Sequence, residues 1–357
     1  MIVLGIESSC DETAAALVRD GHEVLASTIS SQVQLHAGYG GVIPELAARE
    51  HLRNISPVID ATLEKASLDL NQVDAVAVTS NPGLIPALLV GNAYAKGIAA
   101  AKQIPLVGIN HFIAHIYGAF IDHAELLAEA ACFPILALVV SGGHTAIVVI
   151  QANGRARIVG STLDDAAGEA LDKAAKILGL GYPGGPIIDR IAKTGNAGAH
   201  DFPRGLTGAA GKAVKPEHRF DFSFSGVKTA MLYAVKDRSP SNQELADLVA
   251  SYQAAVMDVL VSKTSDAARH FNTPVICVCG GVACNSYLRE KLSEEAARIG
   301  RQLVLAPPKY CTDNAAMVAG LAWHYLRHQL SDDLDMPTSA RLNHDLGIIP
   351  FAPQAKR

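Results

Sequence analysis

Ile2-Val-Leu-Gly-Ile-Glu-Ser-Ser-Cys-Asp-Glu-Thr-Ala-Ala-Ala-Leu-Val18 reads as an apolar strand, a tight polar turn and a second apolar strand. Ile135-Leu-Ala-Leu-Val-Val-Ser-Gly-Gly-His-Thr-Ala-Ile-Val-Val-Ile150 reads the same way, with Thr-Ala opening the second strand both times. A second echo follows each. Val73-Asp-Ala-Val-Ala-Val-Thr-Ser-Asn-Pro-Gly83 leads into a helix, as does Val275-Ile-Cys-Val-Cys-Gly-Gly-Val-Ala-Cys-Asn285. Hairpin, helices, then strand–glycine–helix, twice over, predicts an α/β protein of two duplicated lobes facing each other.

The expected division is an N-terminal lobe over 1–132, a C-terminal lobe over 133–330 and a tail over 331–357 that packs on the first lobe. Helices are predicted at Ile43–Ala66, with Pro44 in the first turn, and at Leu163–Leu180, with Asp164 and Asp165 as N-cap candidates. Gln243–Phe271 is expected as one long helix or a pair, and Asn314–Leu330 as another helical run. Residues 195–222, rich in glycine (Gly195, Gly198, Gly205, Gly208, Gly211) and charge, read as a mobile insertion.

Composition bounds the class. A chain of 357 residues exceeds one typical core, and 49% apolar residues with 30 glycines describe a compact α/β protein. Net charge is −5, which excludes a uniformly basic nucleic-acid binder. It does not exclude a local basic face. Between Arg190 and Lys236 lie Arg190, Lys193, Arg204, Lys212, Lys215, Arg219, Lys228 and Lys236 against Asp201, Glu217 and Asp221. That stretch is net +5 and leaves −10 for the rest, a pattern suited to tracking a phosphate backbone or to a solvated insertion. Met1–Glu7 has no basic flank and reaches an acid at residue 7, unlike a secretory signal. Leu84–Ala101 is interrupted by Gly91, Asn92 and Lys96, and Leu126–Val140 by Glu129 and Pro134, so no membrane segment is expected. The six cysteines form no C-x-x-C pair, Cys277 and Cys279 share a strand face as small core residues, and a reduced cytoplasmic setting fits.

His111 and His115 open a helix directly after the strand-like run Ile104–Asn110. Four residues turn a helix by about 400°, so both imidazoles share one face with Cβ atoms about 5–6 Å apart. That suits two ligands on one metal ion. A zincin needs Glu after the first histidine; here it is Phe112, so the protease reading loses its base. His324 and His328 repeat the spacing near a helix C-terminus, where the helix dipole favours them, and read as a solvated helix end. Asp313 precedes a helix after Pro307-Pro308; its default role is N-cap, with third metal ligand as the alternative.

Ser141-Gly142-Gly143 and Gly280-Gly281 offer backbone N–H groups and close approach to a phosphate, so a nucleotide cleft is expected. Glu7, Asp11 and Glu12 place carboxylates in the opposite turn, for a cation, an ordered water or a proton. Asp172 precedes Tyr182-Pro-Gly-Gly-Pro186, and Asp189 follows it; either carboxylate suits hydroxyl binding or a plain solvated helix face.

Taken together, Glu7–Thr13, Asn110–His115, Val140–Thr145, Tyr182–Pro186, Gly280–Asn285 and Thr312–Ala316 resemble, in order and across essentially the whole chain, the bacterial TsaD (Gcp/YgjD) family of tRNA N6-adenosine threonylcarbamoyltransferases. The resemblance implies an actin-like, Hsp70-like (ASKHA) fold with two lobes around a nucleotide cleft. It implies one Fe(2+) or Zn(2+) on His111, His115 and Asp313, and a threonylcarbamoyl-AMP site at Val139, Val140, Ser141, Gly142, Gly143, Asp172, Gly185, Asp189 and Asn285, where ATP, ADP or AMP also fits. The implied reaction passes the threonylcarbamoyl group to N6 of the adenosine 3′ of the anticodon, in tRNAs reading codons that begin with A. Asp11 and Glu12 are candidates for handling the amine's proton. A TsaB-type paralogue as dimer partner, a TsaE-type ATPase and a TsaC-type adenylate supplier are implied alongside tRNA. The competing readings are a metalloprotease of the O-sialoglycoprotein endopeptidase type and a sugar- or acetate-kinase-like phosphotransferase.

Overall fold

The computed structural model describes residues 1–208, 213–238 and 240–354. The chain divides into two compact units: Met1–Ala130 with Ala152–Arg155 and Pro307–Arg357, and Ala131–Gln151 with Ala156–Ala306.

In the first unit β1 (Ile2–Glu7), β2 (Glu12–Arg19), β3 (Glu23–Ser31), β4 (Ala75–Asn81) and β5 (Leu106–Asn110) form a sheet in the order β3-β2-β1-β4-β5. β1 runs antiparallel to β2 and parallel to β4. Both its faces are covered, so its pattern is continuous burial rather than alternation. Helix α1 (Pro44–Ala66) buries Ala47, His51, Ile55, Val58, Ile59 and Thr62, a stripe at three- and four-residue spacing, against β2 and β3. Helix α2 (Ile85–Lys102) follows β4, and the short α3 (His111–Gly118), buried throughout, follows β5. Leu4, Ile6, Leu17, Val76 and Val78 centre the core, each fully buried aliphatic contributing about 1.5–3 kcal/mol.

The second unit repeats the scheme. β6 (Ile135–Val140), β7 (Thr145–Ile150), β8 (Arg155–Ser161), β9 (Val275–Cys279), β10 (Gln302–Leu305) and the short β11 (Asp345–Ile348) form a six-stranded sheet in the order β10-β9-β6-β7-β8-β11. β6 is antiparallel to β7 and parallel to β9, matching β1, β2 and β4. The duplication read from the two hairpins is present in five strands of each sheet, and β11 is a sixth strand without a counterpart in the first. Helices α4 (Ala167–Ile177), α5 (Gly184–Ala192), α6 (Ser225–Val235), α7 (Asn242–His270) and α8 (Ser286–Arg298) accompany this sheet. Cys277 and Cys279 are core residues with no exposed surface. By length and composition α7 is apolar enough to cross a membrane, but 72% of that window is buried, which marks a core helix.

Helix α9 (Ala315–Arg327) returns to the first unit and packs on β1 and β2. Gly5 permits this: a Cβ there would stand 2.4 Å from the Ala315 carbonyl oxygen. The second unit therefore ends at Ala306 rather than at the expected 330, because α9 covers the first sheet.

Four local expectations need correction. Helix α4 begins at Ala167, not Leu163, because Asp164 turns its carboxylate to another helix start, accepting from the Phe224 and Ser225 N–H groups at 2.7 and 3.2 Å. Asp165 instead pairs with Lys173 and Lys228 at 2.7 and 2.8 Å. Residues 195–208 and 213–222 are largely irregular, and the first stretch is anchored: Asn196 N–H donates to Asp247, His200 N–H to Ser251, and Arg204 forms an ion pair with Asp258 at 2.7 Å. Gly211 and Lys212 lie outside the described residues. Of the basic residues in 190–236, Arg204, Arg219 and Lys228 are committed to Asp258, Asp266 and Asp165, which trims the cations available to a phosphate backbone. Finally, His324 is no solvated helix end. It is half-buried among the Tyr117, Trp323 and Phe351 rings, with Nε2 3.2 Å from the Tyr117 hydroxyl, and burial pushes it down to about 3.

Candidate metal centre and nucleotide turns

Asn110 fixes where α3 starts. Its side-chain oxygen accepts from the Phe112 and Ile113 N–H groups at 2.9 and 3.1 Å, an N-cap that makes His111 the first helical residue. His115 follows one turn later on the same buried face. Asp313 arrives from the other end of the chain. Asn314, not Asp313, caps α9, accepting from Met317 N–H at 3.1 Å and donating to the Thr312 carbonyl at 2.8 Å. The Asp313 carboxylate is thereby left for other work.

That carboxylate closes a triangle. His115 Nε2 is 3.1 Å from His111 Nε2 and 3.1 Å from Asp313 Oδ1, and His111 Nε2 is 3.4 Å from the same oxygen. The two rings meet edge-on at 82°. Ligand atoms about 2.0–2.2 Å from one ion stand about 3.3–3.6 Å apart when tetrahedral and about 2.8–3.1 Å apart when cis-octahedral. The observed edges fit three ligands on a single ion. Two imidazoles and one carboxylate suit zinc or ferrous ion.

The electrostatics agree. Burial disfavours a charged His111, but the carboxylates of Asp313 and then Glu7 outweigh it and hold the ring well above its usual range. Burial likewise opposes ionisation of Asp313, and the two histidines overcome it, holding the carboxyl far below the carboxylate range. A buried carboxylate facing two imidazoles favours positive charge at that point, whether a proton or a metal ion.

Asp11 and Glu12 close the β1–β2 turn, Asp11 buried and Glu12 half-buried at the head of β2. Burial, then the charges of Asp313 and Asp11, push Glu12 up to about 10.

The second unit gathers the remaining predicted residues at one end of its sheet. Val139 and Val140 end β6; Ser141, Gly142 and Gly143 form the turn, closed by Ser141 N–H donating to the His144 carbonyl at 2.8 Å. Both glycines are exposed, and a Cβ on either would meet only open space. Thr145 ties this turn to α4, its hydroxyl accepting from Ala167 N–H at 2.8 Å. On α4, Asp172 accepts from Gly184 N–H at 2.7 Å and so fixes the start of α5, which carries Gly185 and Asp189. Asp189 accepts from the N–H and hydroxyl of Ser286 at 3.1 and 2.8 Å. Asn285 caps α8 through Leu288 N–H at 3.0 Å and donates to Gln253 at 2.8 Å. Gly280 takes φ +91°, where a Cβ would stand 2.3 Å from the Val140 carbonyl oxygen, so the two glycine turns lie against each other.

The profile of the TsaD family, described as tRNA N6-adenosine threonylcarbamoyltransferase, matches residues 23–320. The chain belongs to the TsaD family. A tRNA N6-adenosine threonylcarbamoyltransferase of Syntrophotalea carbinolica is 49% identical over 97% of either chain, and that of Geobacter sulfurreducens 49% over 98% of each. Among solved structures, component A of the Acidaminococcus fermentans (R)-2-hydroxyglutaryl-CoA dehydratase superposes with a TM-score of 0.52 at 15% identity, covering 90% of this chain and 98% of its own. That likeness concerns the fold alone, the duplicated actin-like and Hsp70-like architecture described above.

In this TsaD-family chain, sequence reasoning placed the triangle's three members but missed what braces them. Glu7, taken for one of several turn carboxylates, faces His111 Nδ1 at 3.1 Å, with Ser9 Oγ 3.3 Å from the same nitrogen. Thr79 was not singled out; its hydroxyl donates to Glu7 at 2.5 Å. His51 was also unforeseen, and its ring nitrogens lie 2.8 Å from the Thr13 hydroxyl and 3.0 Å from the Cys10 carbonyl, pinning the acidic turn to α1. A polar residue within an apolar strand, as at Glu7 and Thr79, was the available signal.

Proposed function

We propose that this chain transfers the threonylcarbamoyl group from threonylcarbamoyl-AMP to N6 of the adenosine 3′ of the anticodon in tRNAs reading ANN codons. The observation that carries the reading is the 3.1, 3.1 and 3.4 Å triangle of His111, His115 and Asp313 in a chain of this family. Those residues would hold one ferrous or zinc ion, which would supply Lewis-acid chemistry toward a carbonyl oxygen.

The chain's own groups do the rest. The Ser141–Gly143 and Gly280–Gly281 turns bring N–H groups to the phosphate of the adenylate. Asp172 organises α5, while Gly185, Asp189 and Asn285 line the path for the ribose and base; Val139 and Val140 end the strand beneath them. Asp11, beside Glu12 at the β1–β2 turn, orients the attacking amine and takes its proton. The carbonyl carbon gains the N6 bond and loses the bond to the phosphate oxygen, so AMP leaves with the anhydride electrons and no covalent enzyme species forms.

The reaction is cytoplasmic and involves a TsaB-type paralogue, a TsaE-type ATPase and a TsaC-type supplier of the adenylate. A metalloprotease reading has no support in the site: Phe112, where a zincin carries its base, is buried and apolar. The test is mass analysis of tRNA nucleosides after incubation with threonine, bicarbonate, ATP and the partner proteins. Threonylcarbamoyladenosine should appear with this chain and not with His111→Ala; unaltered modification by that variant would refute the proposal.

A further inference from the structure

Glu7 ends β1 with no exposed surface. A buried carboxylate is costly unless every oxygen finds a donor. Here each does. Oε1 accepts from Ser9 N–H at 2.6 Å, while Oε2 accepts from the Thr79 hydroxyl at 2.5 Å and sits 3.1 Å from His111 Nδ1. The contact with Thr79 spans the β1–β4 pair, so the carboxylate is held by the sheet itself. The transfer chemistry proposed above uses no oxygen of Glu7. The neighbouring imidazole is treated differently: His115 Nδ1 is buried with no partner among the described residues.

We infer that Glu7 is a positioning residue for the metal centre. It accepts the Nδ1–H of His111, which fixes the tautomer and ring plane so that the Nε2 lone pair faces Asp313 and His115. Carboxylate–histidine–metal arrangements of this kind typically govern affinity by 10- to 100-fold. Thr79 and Ser9 act one step further out, aiming the carboxylate. The inference rests on the metal reading of His111, His115 and Asp313.

The experiment is zinc titration of the chelator-stripped full chain, with metal counted by mass spectrometry. Failure of the unaltered chain to bind one zinc would sink the metal reading itself. With that binding in hand, Glu7→Gln should weaken zinc about 10- to 100-fold while the stripped protein keeps its circular dichroism and melting temperature. The same substitution should weaken zinc further in His115→Ala, where His111 remains, and change nothing in His111→Ala, where Glu7 has no ring to orient. Equal losses in both backgrounds, or a Glu7→Gln affinity within twofold of the unaltered chain, would overturn the inference and leave the metal reading standing. A measurement on the unaltered zinc protein covers the case in which the variant does not fold. Long-range nitrogen-15 spectra of labelled histidine should show the His111 proton on Nδ1; a proton on Nε2 refutes the assignment.

Discussion

Asp313→Asn isolates the charge of the metal triangle from its shape. The amide is isosteric, and because Asn314 is the residue that caps α9, the change leaves the helix start intact. In the proposed site Asp313 offers one of the three ligand atoms, the anionic one. Losing an outer-shell partner costs 10- to 100-fold in metal affinity, so losing the charged inner ligand costs at least about 100-fold. At a zinc concentration 100 times the dissociation constant, the unaltered chain gains about 2.7 kcal/mol from binding, whereas a variant 100-fold weaker gains only about 0.4 kcal/mol. The difference, about 2.3 kcal/mol, corresponds to about 5–9 °C in melting temperature for a unit of this size. The assay is a pair of thermal melts for each protein, chelator-stripped and zinc-loaded, compared as the metal-induced rise. Absolute melting temperatures are not the readout, since removing Asp313 also removes its ion pairs with His111 and His115 at 3.4 and 3.1 Å. A variant whose zinc-induced rise matches the unaltered chain within about 1 °C would refute the triangle as the binding site.

Two further outcomes follow from the same geometry. His324 is held down to about 3 by burial, with Arg327 and His328 adding to the effect. The folded state thus binds fewer protons than the unfolded state between that value and the ordinary 6.5. Its stabilising contribution is complete above about 6.5 and is lost as pH falls, by up to about 1.4 kcal/mol per unit. His324→Phe keeps the ring among Tyr117, Trp323 and Phe351, and its melting temperature should gain on the unaltered chain steadily from pH 6.5 to pH 4; a constant difference would contradict this. Gly280→Ala combines a backbone conformation open essentially to glycine, about 1–3 kcal/mol, with a 2.3 Å clash against the Val140 carbonyl, about 1–3 kcal/mol more. Urea unfolding should show a loss of about 2–6 kcal/mol, and a loss under about 0.5 kcal/mol would remove the close-packed turn from the account.

The duplication was legible because it is written in local pattern: two apolar hairpins and two strand–glycine–helix runs need only neighbours in sequence to be recognised. The candidate metal residues were half legible. His111-x-x-x-His115 and His324-x-x-x-His328 have the same spacing, and nothing within either motif says that one pair meets a carboxylate while the other packs against Tyr117. Asp313 and Asn314 are both good caps, and only the fold decides which of them turns inward. Asp164 shows the same limit from the other side, since it caps a helix 60 residues downstream rather than its own. Glu7 was illegible in its role, because its partners stand 72 and 104 residues away. Long-range pairing of that kind leaves no period in the sequence, only an acid at the end of a strand otherwise apolar throughout.

The two copies of the sheet make that acid informative. Glu7 and Val140 occupy the same topological place, the last residue of the first strand, opposite Ala14 in one hairpin and Thr145 in the other. In the second copy the strand stays apolar, the turn shortens to Ser141–His144, and the neighbouring strand hands over to Gly280, which packs on the Val140 backbone. In the first copy the strand ends in a carboxylate, the turn is acidic, and the neighbouring strand supplies Thr79 to hold that carboxylate toward His111. One scaffold has thus been turned to opposite charge preferences. Bare backbone N–H groups and glycine suit an anion, while a braced histidine beside Asp313 suits a cation.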